Sequence, residues 1–253
     1  TREAQITTSV ASGDEARYAR LQQLESLFPL GDTSLGVTLN NALNAWSAVA
    51  TSPTDTTART VVIARAEELA ARLRDVTASL DETRLSSTLQ VQEAVRSINS
   101  LAEQIASVNE RIVQSQGTGR TPNDLLDQRD QLVRNINKYV QTSQIPADDG
   151  TISLFVGGSQ PLVLGSSSAQ LTIKEATEFP GIGKMALYFQ QPGGQSVELT
   201  PSMLGGGEIA GLLQFQGSDL TEGRNLLGRM ALAIGDTLNQ QNNLGLTLSG
   251  QSG

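Results

Sequence analysis

Three aspartates recur at every third position in one stretch: Asp124, Asp127 and Asp130, with Arg129 beside the last. On a helix, carboxylates at this spacing share one side, where a pair of them could exchange a proton with a substrate or hold a cation. A solvated helix start explains the same residues, because acidic side chains stabilise a helix N-terminus and form local ion pairs there. We prefer this second interpretation, which predicts neither catalysis nor metal binding.

Two further runs have the composition of ligand-binding loops. Asp148-Asp149-Gly150 lacks the ligand spacing of an EF-hand, and a hairpin turn explains it better. Gly205-Gly206-Gly207 lacks the lysine and Ser/Thr that complete a phosphate-binding loop. We therefore interpret the glycine run as a flexible hinge, and neither run predicts a bound ligand.

The composition excludes most familiar enzyme chemistry. The 253 residues include no cysteine and no histidine, which removes thiolate and imidazole ligands, the Ser-His-Asp arrangement and disulfides. The 18 basic and 26 acidic residues give a net charge of −8, which argues against nucleic acid and against an anionic membrane surface. No apolar run reaches the roughly 20 residues of a membrane span. The sequence predicts no enzyme, no cofactor and no metal.

Apolar residues recur at helical spacing through most of the first half of the chain. Residues 1–15 are polar without such a period, and we expect a frayed entry there. In residues 55–115 the apolar residues form a seam with steps of three and four, but the step between Leu80 and Val91 is eleven residues. This step predicts that the seam straightens or breaks there, within one kinked helix or between two helices. The helices predicted in this half span residues 18–28, 34–50 and 55–115. Leu43 is expected on the apolar face of the second helix, and Asp55 can cap the third.

A second pattern begins after the break at Gly117-Thr118-Gly119. Thr121-Pro122 predicts a helix start with Thr121 as N-cap and Pro122 in the first turn, continuing to about Val140. From Ile145 the apolar period changes to two, with turn residues between short runs, which predicts strands. A last stripe of apolar residues at helical spacing predicts a final helix. This helix contains Gly228 and Gly235, which we expect to admit a close helix neighbour. The predicted strands are 151–156, 161–164, 171–173, 185–189 and 196–199.

These patterns predict a mainly α fold with a small β part. We expect an elongated antiparallel helical bundle with one very long helix, plus a small antiparallel β unit. The predicted domains are a helical rod of residues 1–144 completed by C-terminal helices in 205–253, and a β unit of residues 145–204. Because the chain opens at Thr1 without a methionine, we expect a fragment of a longer protein.

Five ordered segments resemble one known family. The run Asn123-Asp124-Leu125-Leu126-Asp127-Gln128-Arg129-Asp130 closely resembles the N-D-L-L-D-Q-R-D signature of FlgK, the family of the first hook-associated protein of bacterial flagella. The resemblance covers about residues 18–245, in the family's order. The other similar segments are Ser52-Pro53-x-Asp55-x-x-Ala58-Arg59, Ile98-Asn99-x-Leu101-Ala102-x-Gln104-Ile105-Ala106-x-x-Asn109-x-x-Ile112, Gly206-Gly207-x-Ile209-x-Gly211-Leu212-Leu213-x-Phe215, and Asn225-x-Leu227 with Leu232-Ala233 and Asn239.

The resemblance implies a structural adaptor at the junction between hook and filament, outside the cell, exported by the flagellar type III system. Its implied partners are hook protein, FlgL and neighbouring copies of itself. The family's terminal coiled-coil segments and variable domain would be missing here, so we expect this chain to be a monomer in solution. Within the signature run we expect a structural role, with Leu125 and Leu132 buried and Arg129 paired with a carboxylate.

Two alternatives to this function stay open at this stage. One is another axial flagellar subunit such as FlgL, from which the signature run and the following β segment discriminate. The other is an extracellular adhesin-type binding module carried by the β unit, which would require exposed aromatic side chains there.

Overall fold

Helices account for most of the chain, and one of them is 61 residues long. A computed structural model describes residues 2–116, 122–177, 183–191, 194–247 and 251. The predicted class is confirmed: mainly α, with one very long helix and a small antiparallel β part. The helices are α1 Arg2–Ser26, α2 Leu35–Thr51, α3 Thr56–Gln116, α4 Asn123–Tyr139, α5 Pro201–Leu204, α6 Glu208–Gln214, a π-helical turn Phe215–Asp219, and α7 Leu220–Asn243.

The β part consists of two antiparallel sheets rather than one unit. The first has the order β1-β2-β3-β4 and the second the order β5-β6-β7, each strand pairing with its neighbour in sequence. The sequence missed β1 and β4, because β1 is largely exposed and β4 has only two residues. The strands are β1 Ser143–Pro146, β2 Ile152–Val156, β3 Gln160–Leu164, β4 Ser167–Ser168, β5 Gln170–Glu175, β6 Met185–Gln190 and β7 Ser196–Leu199.

The chain entry is helical, and the expected fraying of residues 1–15 is wrong. Ser9 is fully buried and Gly13 is also buried in α1. The glycine pair Gly206 and Gly207 lies directly against this part of the helix. Small residues pack α1 without producing an apolar stripe, which is why hydrophobic periodicity does not detect this half of the helix.

Side chains cap the starts of α2 and α3, and the second of these caps was predicted. Ser34 Oγ accepts a hydrogen bond from the Val37 amide at 3.2 Å. Asp55 Oδ1 accepts from the Thr57 and Ala58 amides at 2.8 and 3.3 Å, so Asp55 caps α3 as predicted. The expected buried face of α2 is partly wrong: Leu43 is 47% exposed. The buried side chains of α2 are the smaller ones of Thr38, Ala42 and Ala45.

The α3 seam does not break between Leu80 and Val91. Thr83 and Ser87 occupy the missing seam positions and are 1% and 0% exposed, while the helix continues without interruption. Thr83 Oγ1 donates to the Ser79 carbonyl at 2.9 Å, which satisfies the hydroxyl inside the helix. The steps of three and four therefore persist, with two small polar residues in place of apolar ones.

Two compact units divide the chain, and each has its own buried side chains. The mixed unit comprises the chain up to Leu21 and Arg84–Asp219; its core joins α3 and α4 to both sheets and α6. The helical unit comprises Gln22–Thr83 and the chain from Leu220 onward. Its buried apolar side chains are Ala42, Ala45, Leu69, Val76, Leu80, Leu220 and Leu227.

None of the helices in the described part of the chain combines the length and the apolar character needed to cross a membrane.

Candidate functional site

The signature run forms the first half of α4. The helix begins at Asn123, and Pro122 takes the N-cap position with φ −84° and ψ 73°. The predicted start is therefore one residue too early, since Pro122 precedes the first turn instead of occupying it. Because proline has no side-chain acceptor, the cap makes no side-chain hydrogen bond. Thr121, predicted as the N-cap, lies outside the described residues.

The eight signature side chains divide between core and solvent. Leu125 is buried, as predicted, and so is Leu132 about two turns further along the same face, while Leu126 is half-buried. The polar side chains that face solvent are those of Asn123, Asp124, Asp127, Gln128 and Asp130. In the described part of the chain, no group of three or more acidic side chains is placed to hold a metal ion. This arrangement favours the solvated helix start over a carboxylate site.

Arg129 is the signature residue that connects α4 to the first sheet. Its Nη1 donates to the Gly150 carbonyl at 2.7 Å. The expected pairing with a carboxylate is wrong, because the Arg129 guanidinium bonds to the main chain instead. Burial lowers the pKa of the Arg129 guanidinium, an effect that the nearby Asp130 carboxylate opposes. Arg129 therefore holds the main chain of the turn between β1 and β2 at Gly150.

That turn is also held from within. The Asp149 carboxylate accepts from the Thr151 amide at 3.0 Å and from the Thr151 hydroxyl at 2.7 Å. The Gly150 amide donates to the Ala147 carbonyl at 3.1 Å, and Gly150 has φ +80°. The prediction of a hairpin turn at Asp148-Asp149-Gly150 is confirmed. The hydrogen bonds from the Thr151 hydroxyl and amide lower the pKa of Asp149.

A buried asparagine closes the other end of α4. Asn137 Nδ2 donates to the Val133 carbonyl at 2.8 Å and to Thr142 Oγ1 at 3.0 Å. Its Oδ1 accepts from the Thr142 amide at 2.9 Å. Asn137 and Thr142 are 1% and 8% exposed, so the pair fixes the passage from α4 to β1 inside the protein. Sequence reasoning missed it, since one asparagine inside a helix carries no positional signal.

The run Gly205-Gly206-Gly207 is a tight contact, and the expected flexible hinge is wrong. The Gly207 amide donates to the Ser9 carbonyl of α1 at 2.7 Å, and the Gln141 amide donates to the Gly206 carbonyl at 3.2 Å. Gly207 has φ +96°, and a Cβ there would lie 2.5 Å from the Tyr139 carbonyl oxygen. Glycine is required because three backbone segments meet at this point.

Gly211 extends the same close approach into α6. A Cβ at Gly211 would lie 2.0 Å from the carbonyl oxygen of Gly13. The expectation that Gly228 and Gly235 admit a close neighbour is wrong, because nothing lies within 4 Å of a Cβ built at either. The glycines that allow close packing are therefore those of the G-G-x-x-x-G stretch, and not those of the last helix.

The surface of each compact unit contains a hollow. In the mixed unit, a polar hollow of about 380 Å³ lies between α1 and α4 and includes Asp130, Arg134 and Lys138. In the helical unit, an open, mostly apolar groove of about 1040 Å³ includes Trp46 and Leu238. Neither holds a histidine or a cysteine, since the chain has none.

Comparison with known sequences identifies consistent relatives. The sequence model of the flagellar hook-associated protein FlgK helical domain matches residues 21–253. Flagellar hook-associated protein 1 from Salmonella typhimurium is 32% identical over 245 residues, which cover 96% of this chain and 44% of that protein. The protein of the same name from Escherichia coli is 29% identical over 255 residues, covering 100% and 46%. The Bacillus subtilis protein is 23% identical over 265 residues, covering 94% and 51%.

The fold has a matching relative among solved structures. The flagellar hook junction protein FlgK from Burkholderia pseudomallei superposes with a TM-score of 0.93 at 28% identity, covering 100% of this chain and 46% of that one. The chain thus spans about half the length of the relatives it matches. Because the family model covers nearly the whole chain, and fold and sequence agree over the same residues, the chain belongs to the FlgK family of flagellar hook-associated proteins.

Proposed function

We propose that this chain is the helical part of a structural subunit at the hook–filament junction of the bacterial flagellum. The observation that carries the proposal is the match of the entire chain to the Burkholderia hook junction protein, at a TM-score of 0.93 and 28% identity. Relatives named flagellar hook-associated protein 1 support the same role. The subunit lies outside the cell and reaches its place through the flagellar type III system.

Its mechanism is geometric and involves no catalysis. Packed helices present fixed side surfaces, and such surfaces allow identical subunits to associate in a closed or helical lattice. The partners are hook protein on one side, FlgL on the other, and neighbouring copies of the same subunit. The chain described here is a monomer by itself, and sedimentation velocity at increasing concentration tests this.

The signature run is a structural element in this proposal. Asn123–Asp130 packs α4 onto the core through leucines and holds a turn through Arg129. The division into a helical rod of residues 1–144 with 205–253 and a β unit of residues 145–204 is a proposal about independent folding, and it differs from the two compact units described above. Limited proteolysis tests it, because a separable β unit would be released as a stable fragment while the helical remainder stays folded.

The experiment that tests the junction role deletes the full-length gene and follows flagellin. Bare hooks with monomeric flagellin shed into the medium, both reversed by complementation, support the role. The matched control is complementation with a gene lacking the residues of this chain, which must fail to restore filaments. Normal filaments on the hooks of the deletion strain would overturn the proposal and direct attention to an adhesin role of residues 145–204.

A further inference from the structure

The sequence contains a single aspartate followed by glycine, Asp149-Gly150, and this pair lies in the turn between β1 and β2. Asp149 is exposed. An aspartate in this context is prone to a covalent rearrangement, because glycine has no Cβ to hinder its amide nitrogen from attacking the preceding side chain. The turn therefore combines a reactive dipeptide with access to water.

The rearrangement needs no partner other than water. The Gly150 nitrogen forms a bond to Asp149 Cγ, the nitrogen gives up its proton and the protonated carboxyl gives up its hydroxyl, so that water leaves and a cyclic imide remains. Water then opens the imide at either carbonyl. One opening restores aspartate, and the other leaves isoaspartate, in which the main chain runs through Cβ and Cγ of residue 149.

The folded turn holds both main-chain groups of Gly150. The Gly150 amide donates to the Ala147 carbonyl at 3.1 Å, and the Gly150 carbonyl accepts from Arg129 Nη1 at 2.7 Å. The nitrogen can approach Asp149 Cγ only if the peptide between the two residues rotates. This rotation breaks the bond to Ala147 and displaces the carbonyl from Arg129, so the attack requires the turn to open locally.

The carboxyl group that would be attacked is held as well. Asp149 Oδ1 accepts from the Thr151 amide at 3.0 Å and from the Thr151 hydroxyl at 2.7 Å. Thr151 is 4% exposed, so the donor residue is packed within the protein. These bonds favour the ionised carboxylate and lower its pKa, whereas loss of water requires the protonated form.

Two asparagines of α3 offer a contrast within the same chain, because asparagine forms the same imide by losing ammonia. Asn99 Oδ1 accepts from the Leu171 amide at 2.8 Å, and its Nδ2 donates to the Leu171 carbonyl at 2.9 Å. Asn109 makes the same two bonds to Ile152, at 3.3 and 2.8 Å, and is fully buried. Both lie inside a helix, so their deamidation would report unfolding of α3.

We propose that Asp149 is a latent modification site: the native turn prevents isoaspartate formation by holding Gly150 through Arg129 and the carboxylate through Thr151. Isoaspartate adds a carbon to the main chain ahead of Gly150, so the modified turn would lose the placement that bonds Gly150 to Arg129. One connection between α4 and the first sheet would then be lost. The inference concerns the chemical durability of the turn, goes beyond the junction role and does not depend on it.

The test stores the folded protein at neutral pH beside the same protein unfolded in guanidinium chloride. Peptide mapping with electron-transfer fragmentation measures isoaspartate at residue 149, because the two isomers give different fragments. We expect conversion in the unfolded chain to be at least about tenfold faster than in the folded protein. The folded variants Arg129→Ala and Thr151→Val, which each remove one bond, are expected to convert about tenfold faster than the parent protein.

Two control variants separate the bonds of the turn from general loss of stability. Arg134→Ala removes an exposed arginine from the same helix, and Gly211→Ala disturbs the contact with Gly13 without touching the turn. Both are expected to convert at the parent rate. In every folded variant the peptide that contains Asn99 should keep its mass, which verifies that α3 stays folded.

Three results would overturn the proposal. The first is a folded parent protein that converts as fast as the unfolded chain, and the second is an unfolded chain that forms no isoaspartate at residue 149. The third is that Arg129→Ala and Thr151→Val convert no faster than Arg134→Ala and Gly211→Ala, since the bonds of the turn would then give no protection.

Discussion

Arg17 in α1 binds both carboxylate oxygens of Asp219, with Nε to Oδ2 and Nη2 to Oδ1 each at 2.8 Å. The side chains are 33% and 14% exposed, so the pair is partly withdrawn from water. Asp219 ends the π-helical turn that follows α6. Two parallel bonds in a fixed fork hold α1 against this turn in one orientation.

Replacing Asp219 by Asn is expected to destabilise the protein by about 1 to 2 kcal/mol, less than for a deeply buried pair because a third of Arg17 is exposed. Urea denaturation followed by circular dichroism measures the change. Arg17→Lys is the matched control: it keeps the charge but loses the fork, so we expect a loss of similar size. An Arg17→Lys variant as stable as the parent protein would show that the paired geometry contributes nothing.

Replacing Arg129 by Ala is expected to cost about 1 to 3 kcal/mol, because the Gly150 carbonyl loses a charged donor. The β1–β2 turn should respond locally, with faster hydrogen exchange at the Gly150 and Thr151 amides than elsewhere in the sheet. Arg134→Ala is the control on the same helix, since Arg134 is exposed and bonds to Gln131. Equal exchange changes in both variants would contradict a specific hold on the turn.

The Asp149 carboxylate is expected to make stability depend on acid pH. Hydrogen bonds from Thr151 lower the pKa of Asp149 below its ordinary value of 3.8 in the folded protein. The unfolded state therefore binds the proton more tightly, so the contribution is fully present above pH 3.8 and is lost as pH falls through the lower folded pKa.

The Asp149→Asn variant isolates this contribution. In denaturant titrations it should be less stable than the parent protein at neutral pH, and the difference should shrink as pH falls below 3.8. In a Thr151→Val background the same substitution should matter less, because the hydroxyl donor is absent. A difference that stays constant down to pH 2 would rule out the proposed linkage.

Two glycine-to-alanine substitutions are expected to have opposite signs. Gly211→Ala should destabilise by at least about 2 kcal/mol, because the new methyl group would meet the Gly13 carbonyl oxygen. Gly228→Ala should stabilise by about 0.4 to 1 kcal/mol, since its helical site is open and alanine restricts the unfolded chain. Thermal unfolding of both variants decides the matter, and a stabilised Gly211→Ala would mean that α1 and α6 are further apart than described.

The features that could be predicted from sequence are those with a local period. The bounds of α2 and α3 follow from apolar spacing, and capping of α3 by Asp55 follows from residue type. The five predicted strands exist, because alternation and turn residues are also local signals. The composition alone does not identify a family. The segments that resemble FlgK predicted the family to which the chain belongs.

The features that could not be predicted depend on distant partners. Gly207 is indistinguishable from a hinge glycine until Ser9 and Tyr139 are placed against it. Arg129 has carboxylates beside it in sequence, yet its bond goes to a carbonyl 21 residues away. Asn99 and Asn109 belong to the segment that resembles the family, but only the positions of the strands show what their amides bond to.

The contacts of α1 also impose an order on folding. Arg17 and Asp219 are 202 residues apart in the chain, and the Ser9 carbonyl bonds to an amide almost as distant. During synthesis α1 is made before these partners, which become available only after roughly 200 further residues have followed it. Closing so long a loop carries an entropic penalty that local contacts of α4 and the hairpins do not incur. Although α1 precedes the other described helices in the chain, it is therefore among the last of them to acquire its native neighbours.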